Sequence, residues 1–579
     1  ATHMVNILSN TMVAALTVGE RRMARALGGN VPPGESTAML KGMVDGARDG
    51  FRLGWKALKS GEPADVLEKV EVDKRRAISG ENLNLSGQAG RFADFIGEVA
   101  RIPGRLLTAE DAFFKSVGYR MELNAQAYRQ AFNEGLKDEA AAKRVLQIVN
   151  NPPDNIKLAA IDASRYQTFT NSLDNTKFKF VGGIGKLAEK ARNPEVTGGA
   201  APYLRVLLPF VRTPTNIASF TLERTPVAFL SSTIRAEIAA GGARRDVALA
   251  KIATGSMMMA VSADLALSGT ITGAGPVDRD MKNIKRAAGW QPYSIKIGDK
   301  YYAYNRLDPI GGLIGLAADM TEILGQTSEA DTLALTSAAV LSATQNMASK
   351  TYLSNFMGTM DAIFTASTDP MASNKQIQYL LGRMGASIIP AGVAAIERTV
   401  SPELSAAYSF LDQVKSRIPG FSTDLPPRRN IFGEPVVLGG GLGPDIMSPI
   451  YTSEIKDNPV ADEIIAQEAS ISMPKKVING VELDAQQYDR YIVLYSGKDN
   501  PGVKSVPLKA KLKEMFATPA YKRATDGPEG GKQVVINGIF QSYQKAARTQ
   551  LAKEYPQLEA DIKDVKAEKI FKRTGFIGR

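Results

Sequence analysis

The chain has 579 residues, 44% of them hydrophobic and 23% charged, which is ordinary usage for folded domains and excludes a disordered polypeptide. Cysteine is absent and histidine occurs once, as His3 in "ATHM", so disulfides, thiol nucleophiles, iron–sulfur clusters, cysteine zinc sites, Ser-His-Asp triads and zincins are excluded for these residues. Lys and Arg number 71 against 60 Asp and Glu, a net charge of +11 that suits contact with nucleic acid or anionic lipid.

The opening "ATHMVNILSNTMVAALTVGERRMARAL" lacks the basic leader and unbroken apolar run of a secretory signal, and it starts with Ala, as a piece of a longer polypeptide would. Residues 1–170 are expected to be helical. The pattern is strongest between Leu106 and Leu136, where Thr108 and Asp111 predict a capping box. Phe113, Val117, Met121, Tyr128 and Phe132 follow at near-helical spacing, with Phe114 alongside and Lys115, Arg120, Glu122 and Arg129 on other faces. Breaks are expected at "VPPGES", "RIPGR" and "NNPPDN". In "KFVGGIGKLAEKA", Gly182, Gly183, Gly185 and Lys186 suggest a phosphate loop. Leu187, however, stands where such a loop needs Ser or Thr, so a flexible turn is the expectation.

Weakly hydrophobic segments follow: Ile252 to Ile271, then others starting at Ile310, Leu333 and Leu380, all rich in Gly, Ala and Ser. The first carries Met257, Met258, Met259 and Val261 as candidate membrane or subunit-interface residues, with Asp264 among them; the second carries Asp319. An aspartate in a bilayer centre costs about 2.5–3.5 kcal/mol. Two readings stay open: buried helices packed through small residues, or conditional insertion with partner copies shielding Asp264 and Asp319.

Between the first two segments, "GWQPYSIKIGDKYYAYNRLDPIGGLIGLAADM" predicts a hairpin, with strands Ser294 to Ile297 and Tyr301 to Tyr304 turned at Gly298-Asp299. Asp308 is then the expected N-cap and Pro309 the first position of an apolar helix. Trp290, Tyr293, Tyr301, Tyr302 and Tyr304 suit a packing surface between subunits or a bilayer interface. After Ser401, "GFSTDLPPRRNIFGEPVVLGGGLGPDIMSPIY" reads as an extended segment laid across another surface. Asn479-Gly480 marks a small hairpin, Asp484 caps a helix carrying Tyr488 and Tyr491, and charge-interleaved amphipathic helix resumes from Gln533. The expected fold is mainly α: an elongated multi-helix architecture with a few small β-hairpins and an extended Pro/Gly-rich segment. Its expected divisions are 1–170, 171–400, 401–480 and 481–579.

No catalytic constellation emerges, and no cofactor or metal is implied. Glu35-Ser36 matches the catalytic dipeptide of lytic transglycosylases, but the glycine-rich element that follows it there is missing. The carboxylate pair Asp561/Asp564 lies in charged helix, without the apolar surroundings that raise a general acid's pKa. Arg244-Arg245, Lys282/Lys285/Arg286 and Arg428-Arg429 are candidates to line a sequence-blind DNA path, as is Lys74-Arg75-Arg76.

Several phrases carry a resemblance: "TAEDAFFKSVGYRMELNAQAYRQAF", "GWQPYSIKIGDKYYAYNRLDPIGGLIGLAADM", "DLPPRRNIFGEPVVL", "GPDIMSPIYTSEIKDNPVADEI" and "INGVELDAQQYDRYIVL". Together they span much of residues 108 to 495, and the chain there resembles the C-terminal region of large phage and prophage internal virion, or ejection, proteins of short-tailed phages. The resemblance implies a non-enzymatic homo-oligomer packaged in the virion interior near the portal and other ejection proteins. On infection it would form a ring or tube through periplasm and host inner membrane, passing double-stranded DNA without sequence preference. A virion core or portal-associated structural protein with no membrane role is the alternative. A murein-cleaving domain, where members carry one, would lie elsewhere in a longer polypeptide.

Overall fold

Periodic apolar stripes and small residues make most of this chain helix, and the fold is mainly α with small antiparallel strand pairs. The computed structural model describes residues 2–60, 87–191, 193, 211–276, 278–324, 403–406, 412, 415–416, 420–437, 450–469 and 471–574. The apolar segments beginning at Leu333 and Leu380 and the Lys74-Arg75-Arg76 cluster lie outside the described residues. In chain order the helices begin with α1 (Thr2–Gly28), α2 (Glu35–Ser60), α3 (Gly87–Asn133), α4 (Asp138–Asn150), α5 (Asp154–Gln167) and α6 (Lys179–Ala191). They continue with α7 (Arg212–Leu222), α8 (Ser232–Ala239), α9 (Gly242–Leu267), α10 (Arg279–Ala287) and α11 (Ile310–Leu324). The last are α12 (Pro459–Ala466), α13 (Ala485–Tyr495), α14 (Leu508–Phe516), α15 (Pro519–Arg523), α16 (Gly531–Glu554) and α17 (Pro556–Thr574). The chain forms two compact units. The first takes residues through Ser268 and resumes at Tyr304; the second takes Gly269–Ala303 and the described residues from 403 onward.

In the first unit α3 is the central helix, packed by α1, α2, α4 and α5. Its closest neighbour is α2, and glycine is the reason. Gly42, Gly46, Gly50 and Gly54 recur every fourth residue and so share one helix face. With no side chain on that face, the α2 backbone lies directly on α3. A Cβ at Gly46 would stand 2.7 Å from Val117 Cα, and one at Gly54 2.9 Å from the Ala109 carbonyl oxygen.

α3 corrects three expectations. It runs unbroken through "RIPGR", so Thr108 is not an N-cap; its hydroxyl donates back to the Gly104 carbonyl at 3.0 Å, and Asp111 pairs with Lys115 at 2.7 Å. An internal proline costs a helix about 3 kcal/mol, an amount that tertiary packing overrides. Phe132 is exposed, off the stripe that buries Val117 and Met121. Lys115 and Glu122, expected on faces other than the apolar stripe, are nonetheless buried in ion pairs because helices cover α3 on several sides. "KFVGGIGKLAEKA" is also not a turn: it is the helix α6. Its glycines admit neighbours, since a Cβ at Gly182 would meet the Leu173 carbonyl at 3.0 Å and one at Gly185 the Thr215 hydroxyl at 2.8 Å.

The second unit holds a single large apolar core. Ile464, Leu483, Tyr491, Leu494, Leu512, Ile536, Phe540 and Leu551 lie at its centre. The described part of the Pro/Gly-rich segment, residues 420–437, contributes Ile431 and Phe432 to this core, and residues 438–449 of it lie outside the described residues. The hairpin strands are β1 (Ser294–Ile297) and β2 (Lys300–Ala303), paired Ser294 to Ala303 and Ile297 to Lys300 around Gly298-Asp299. Gly298 has φ +61°, the left-handed conformation a two-residue hairpin needs there. A third strand, β3 (Thr452–Glu454), joins the free edge of β2. Further on, β4 (Val477–Ile478) and β5 (Val481–Glu482) flank Asn479 and Gly480, both at positive φ.

Asp484 caps α13 through a complete capping box: Gln487 N–H donates to Asp484 Oδ1 at 2.8 Å, and Asp484 N–H donates to Gln487 Oε1 at 3.0 Å. Asp484→Ala is expected to cost about 1 kcal/mol. The loss should appear as a lower denaturant midpoint with unchanged m-value, while Asp484→Ser should restore most of it.

Candidate functional site

The proposed interface residues divide between outward and inward positions. The helix expected from Ile252 to Ile271 is displaced: α9 starts at Gly242 and ends at Leu267, and Ile271 instead bridges to Ile295 beside β1. Met257, Val261 and Asp264 share the exposed side of α9 with Leu267, while Met258 and Met259 are half-buried. On the inner side Gly255 lies against the Arg224 carbonyl, a contact no larger residue permits. α11 starts at Ile310, one residue after the expected first position, since Pro309 stands before the helix. Gly311, Gly312, Leu313, Gly315, Leu316, Ala317, Ala318 and Asp319 are all buried on it, which is the close packing through small residues that one sequence reading anticipated. Asp319 is therefore internal and Asp264 external. Among the described residues no helix is long and apolar enough to cross a membrane.

The aromatic cluster also splits. Tyr293 and Tyr304 are buried, leaving neither ring a free face; Trp290, Tyr301 and Tyr302 are half-buried. Trp290 packs over Gly275, whose φ of +78° requires glycine, and the Lys285 ammonium sits 5.9 Å from its ring centre. Of the DNA-lining candidates, Arg244 is exposed, and Arg245 bonds Asp246 at 3.2 Å. Lys282 and Lys285 are half-buried on α10. Arg286 and Arg428 come together as like charges: burial, and then Arg428, lower the pKa of Arg286. Arg429 is engaged, donating to both Asp489 oxygens at 2.8 and 3.4 Å and to the Gly433 carbonyl at 3.2 Å.

The most densely organised polar site was not foreseen. Arg224, fully buried at the end of α7, donates to the two oxygens of Glu20 on α1 at 2.7 and 3.0 Å. A third donor reaches the Tyr166 hydroxyl at 3.0 Å, and the guanidinium stacks 3.3 Å over the Phe220 ring. Tyr166 in turn donates to Glu223 at 2.7 Å, and Lys251 on α9 bonds both Tyr166 and Glu223 at 2.9 and 3.2 Å. Four helices are tied together by this one network. A second network binds Glu35: its oxygens accept from Arg21 at 3.0 Å and from Arg129 at 2.8 Å, and Arg21 also reaches Glu122 at 2.6 Å. Both Glu35 oxygens are thus occupied in the interior, so the Glu35-Ser36 dipeptide presents no carboxylate to a substrate. Asp246 forms a third, accepting from Asn30 N–H and its side-chain amide at 2.9 and 2.8 Å. His3, the single histidine of the sequence, bonds Glu110 at 2.7 Å.

Burial first, and then the Glu223 carboxylate, push the Tyr166 hydroxyl up to about 12 against the opposing pull of Arg224 and Lys251. Folded protein then holds a proton that the unfolded chain releases near pH 10, so stability present below that pH falls as pH rises through about 12. The slope for one proton is about 1.4 kcal/mol per pH unit. Tyr166→Phe removes this slope. Wild type is expected to melt higher than the variant at pH 8, with the gap closing progressively between pH 10 and 12; a gap independent of pH would contradict the assignment.

Every buried charged side chain among the described residues belongs to the first unit, and the buried polar groups of the second are all uncharged. Among the described residues no group of three or more His, Asp or Glu is placed to hold a metal ion. No family model, curated protein or solved structure matches this chain.

Proposed function

We propose that this chain is a phage internal virion protein, expelled from the capsid, that oligomerises into a ring or tube helping genome DNA across the host envelope. The sequence phrases quoted above suggest it. The observation that carries it is the composition of the first unit: small apolar clusters joined by buried ionic networks, with α9 keeping Met257, Val261 and Leu267 on its exposed side. Buried ion pairs set a specific arrangement at little net gain in stability, because desolvation offsets their attraction. Such a unit is suited to exchange one set of partners for another. Helices this weakly apolar stay soluble in a capsid and gain contacts when copies assemble. The net charge of +11 suits a DNA path that reads no bases. The protein has no catalytic role of its own in this reading.

Dye leakage from vesicles of phosphatidylethanolamine and phosphatidylglycerol tests it. The proposal expects release that rises steeply with protein concentration, as assembly requires. Intact vesicles at all concentrations would favour a virion core or portal-associated structural protein instead.

A further inference from the structure

α2 has two faces, and among the described residues only the glycine face is packed along its length; on the other, Phe51 alone reaches α3, edge-on to Phe113 with ring centres 5.0 Å apart. The glycine stripe lies on α3; on the far side Leu40, Val44, Phe51 and Trp55 recur at helical spacing, with exposures of 39, 63, 72 and 60%. Arg48, Arg52 and Lys56, four residues apart, form an exposed basic row beside that apolar stripe. Lys59 arches over the Trp55 ring at 5.1 Å. Two carboxylates lie near: Asp49, which is drawn to Arg120 at 2.7 Å, and Asp45. We propose that this face of α2 docks on an anionic lipid surface, its apolar stripe entering the headgroup boundary and its basic row meeting lipid phosphates. The inference rests on the membrane role proposed above and names the surface that makes first contact.

Charge and polarity together select the occupant. A nucleic acid backbone would satisfy the basic row but leave Leu40 and Val44 in water. A second copy would set one basic row against another. Anionic lipid alone supplies an apolar phase and a layer of negative charge at the right separation, the arrangement used by amphipathic helices that lie in a bilayer interface. Small residues on the opposite face anchor the helix firmly enough for both rows to stay presented.

Flotation of the full chain with vesicles of phosphatidylethanolamine and phosphatidylglycerol tests this, with phosphatidylcholine vesicles as the neutral control. Wild type is expected to float with the anionic vesicles at least tenfold better than with neutral ones. Arg48→Gln/Arg52→Gln/Lys56→Gln and, separately, Val44→Ser/Trp55→Ser should each lose most of that binding with unchanged circular dichroism. Trp55→Phe should still float, but it should lose the blue shift of tryptophan emission that vesicles induce in wild type. Equal flotation of all variants would overturn the α2 assignment and leave the membrane role standing. No flotation of wild type would overturn both. Binding of duplex DNA lost in the triple variant, without lipid binding, would reassign the face to nucleic acid. A variant-dependent change of sedimentation without lipid would reassign it to a second copy.

Discussion

Arg224→Met is expected to destabilise the first unit by about 3–5 kcal/mol, because it leaves Glu20 buried without its partner and removes a donor from Tyr166. The neighbouring Phe220 ring also loses its stacked guanidinium. Hydrogen exchange read peptide by peptide should show faster exchange in α1, α5, α7 and α9, with α13 to α16 unchanged. The double variant Glu20→Met/Arg224→Met carries a sharper expectation. An apolar pair of similar volume removes both desolvation costs, so much of the lost stability should return. If the double variant proves as unstable as the two single losses combined, the Glu20–Arg224 pair is contributing strongly by itself, and the first unit is not the convertible element described above.

The glycine face of α2 gives the second large effect. Gly42→Ala and Gly46→Ala each insert a methyl group where α3 backbone already stands, the Arg120 carbonyl oxygen at the first position and Val117 Cα at the second. Each is expected to cost about 1–3 kcal/mol through forced separation of the helices. This outweighs the intrinsic helix preference of Ala, worth about 1 kcal/mol over Gly. Gly19→Ala is the control. Gly19 is exposed within α1 with no atom within 4 Å of the added carbon, and the change should stabilise by roughly 0.5–1 kcal/mol. Chemical denaturation of the three variants distinguishes close approach from propensity, since propensity alone would make all three stabilising.

Local features were legible because their causes are local. Asn479-Gly480 needs two positive φ values, Asp484 caps the next helix, and the apolar run after Pro309 makes α11; each expectation needed only a handful of consecutive residues. Features governed by distant partners were not legible. Glu20 and Arg224 stand 204 residues apart, and nothing beside either marks it as buried: Glu20 adjoins Arg21 and Arg22, and Arg224 adjoins Glu223, so each reads as part of an ordinary charged stretch. β3 is three residues long and exists because β2 offers an edge. Thr108 has the composition of an N-cap, yet the helix continues through it because packing on α2 outweighs the proline before it. The same asymmetry divides the interface candidates. The sequence named Met257, Met258, Met259, Val261, Asp264 and Asp319 together as candidates, and only the packing of α9 and α11 separates them, with Asp264 outside and Asp319 inside.

Burial of charge in one unit and of apolar bulk in the other makes the first unit the part that would rearrange in the assembly proposed above. Its buried charges are held by ionic networks, whereas the core of the second unit buries no charged side chain among the described residues. Electron cryomicroscopy of the full chain on anionic vesicles is the most direct measurement. A closed ring or tube of several copies, with a lumen wide enough for duplex DNA, is the expected result. Only monomers or irregular aggregates at concentrations that saturate the vesicles would contradict the proposed function.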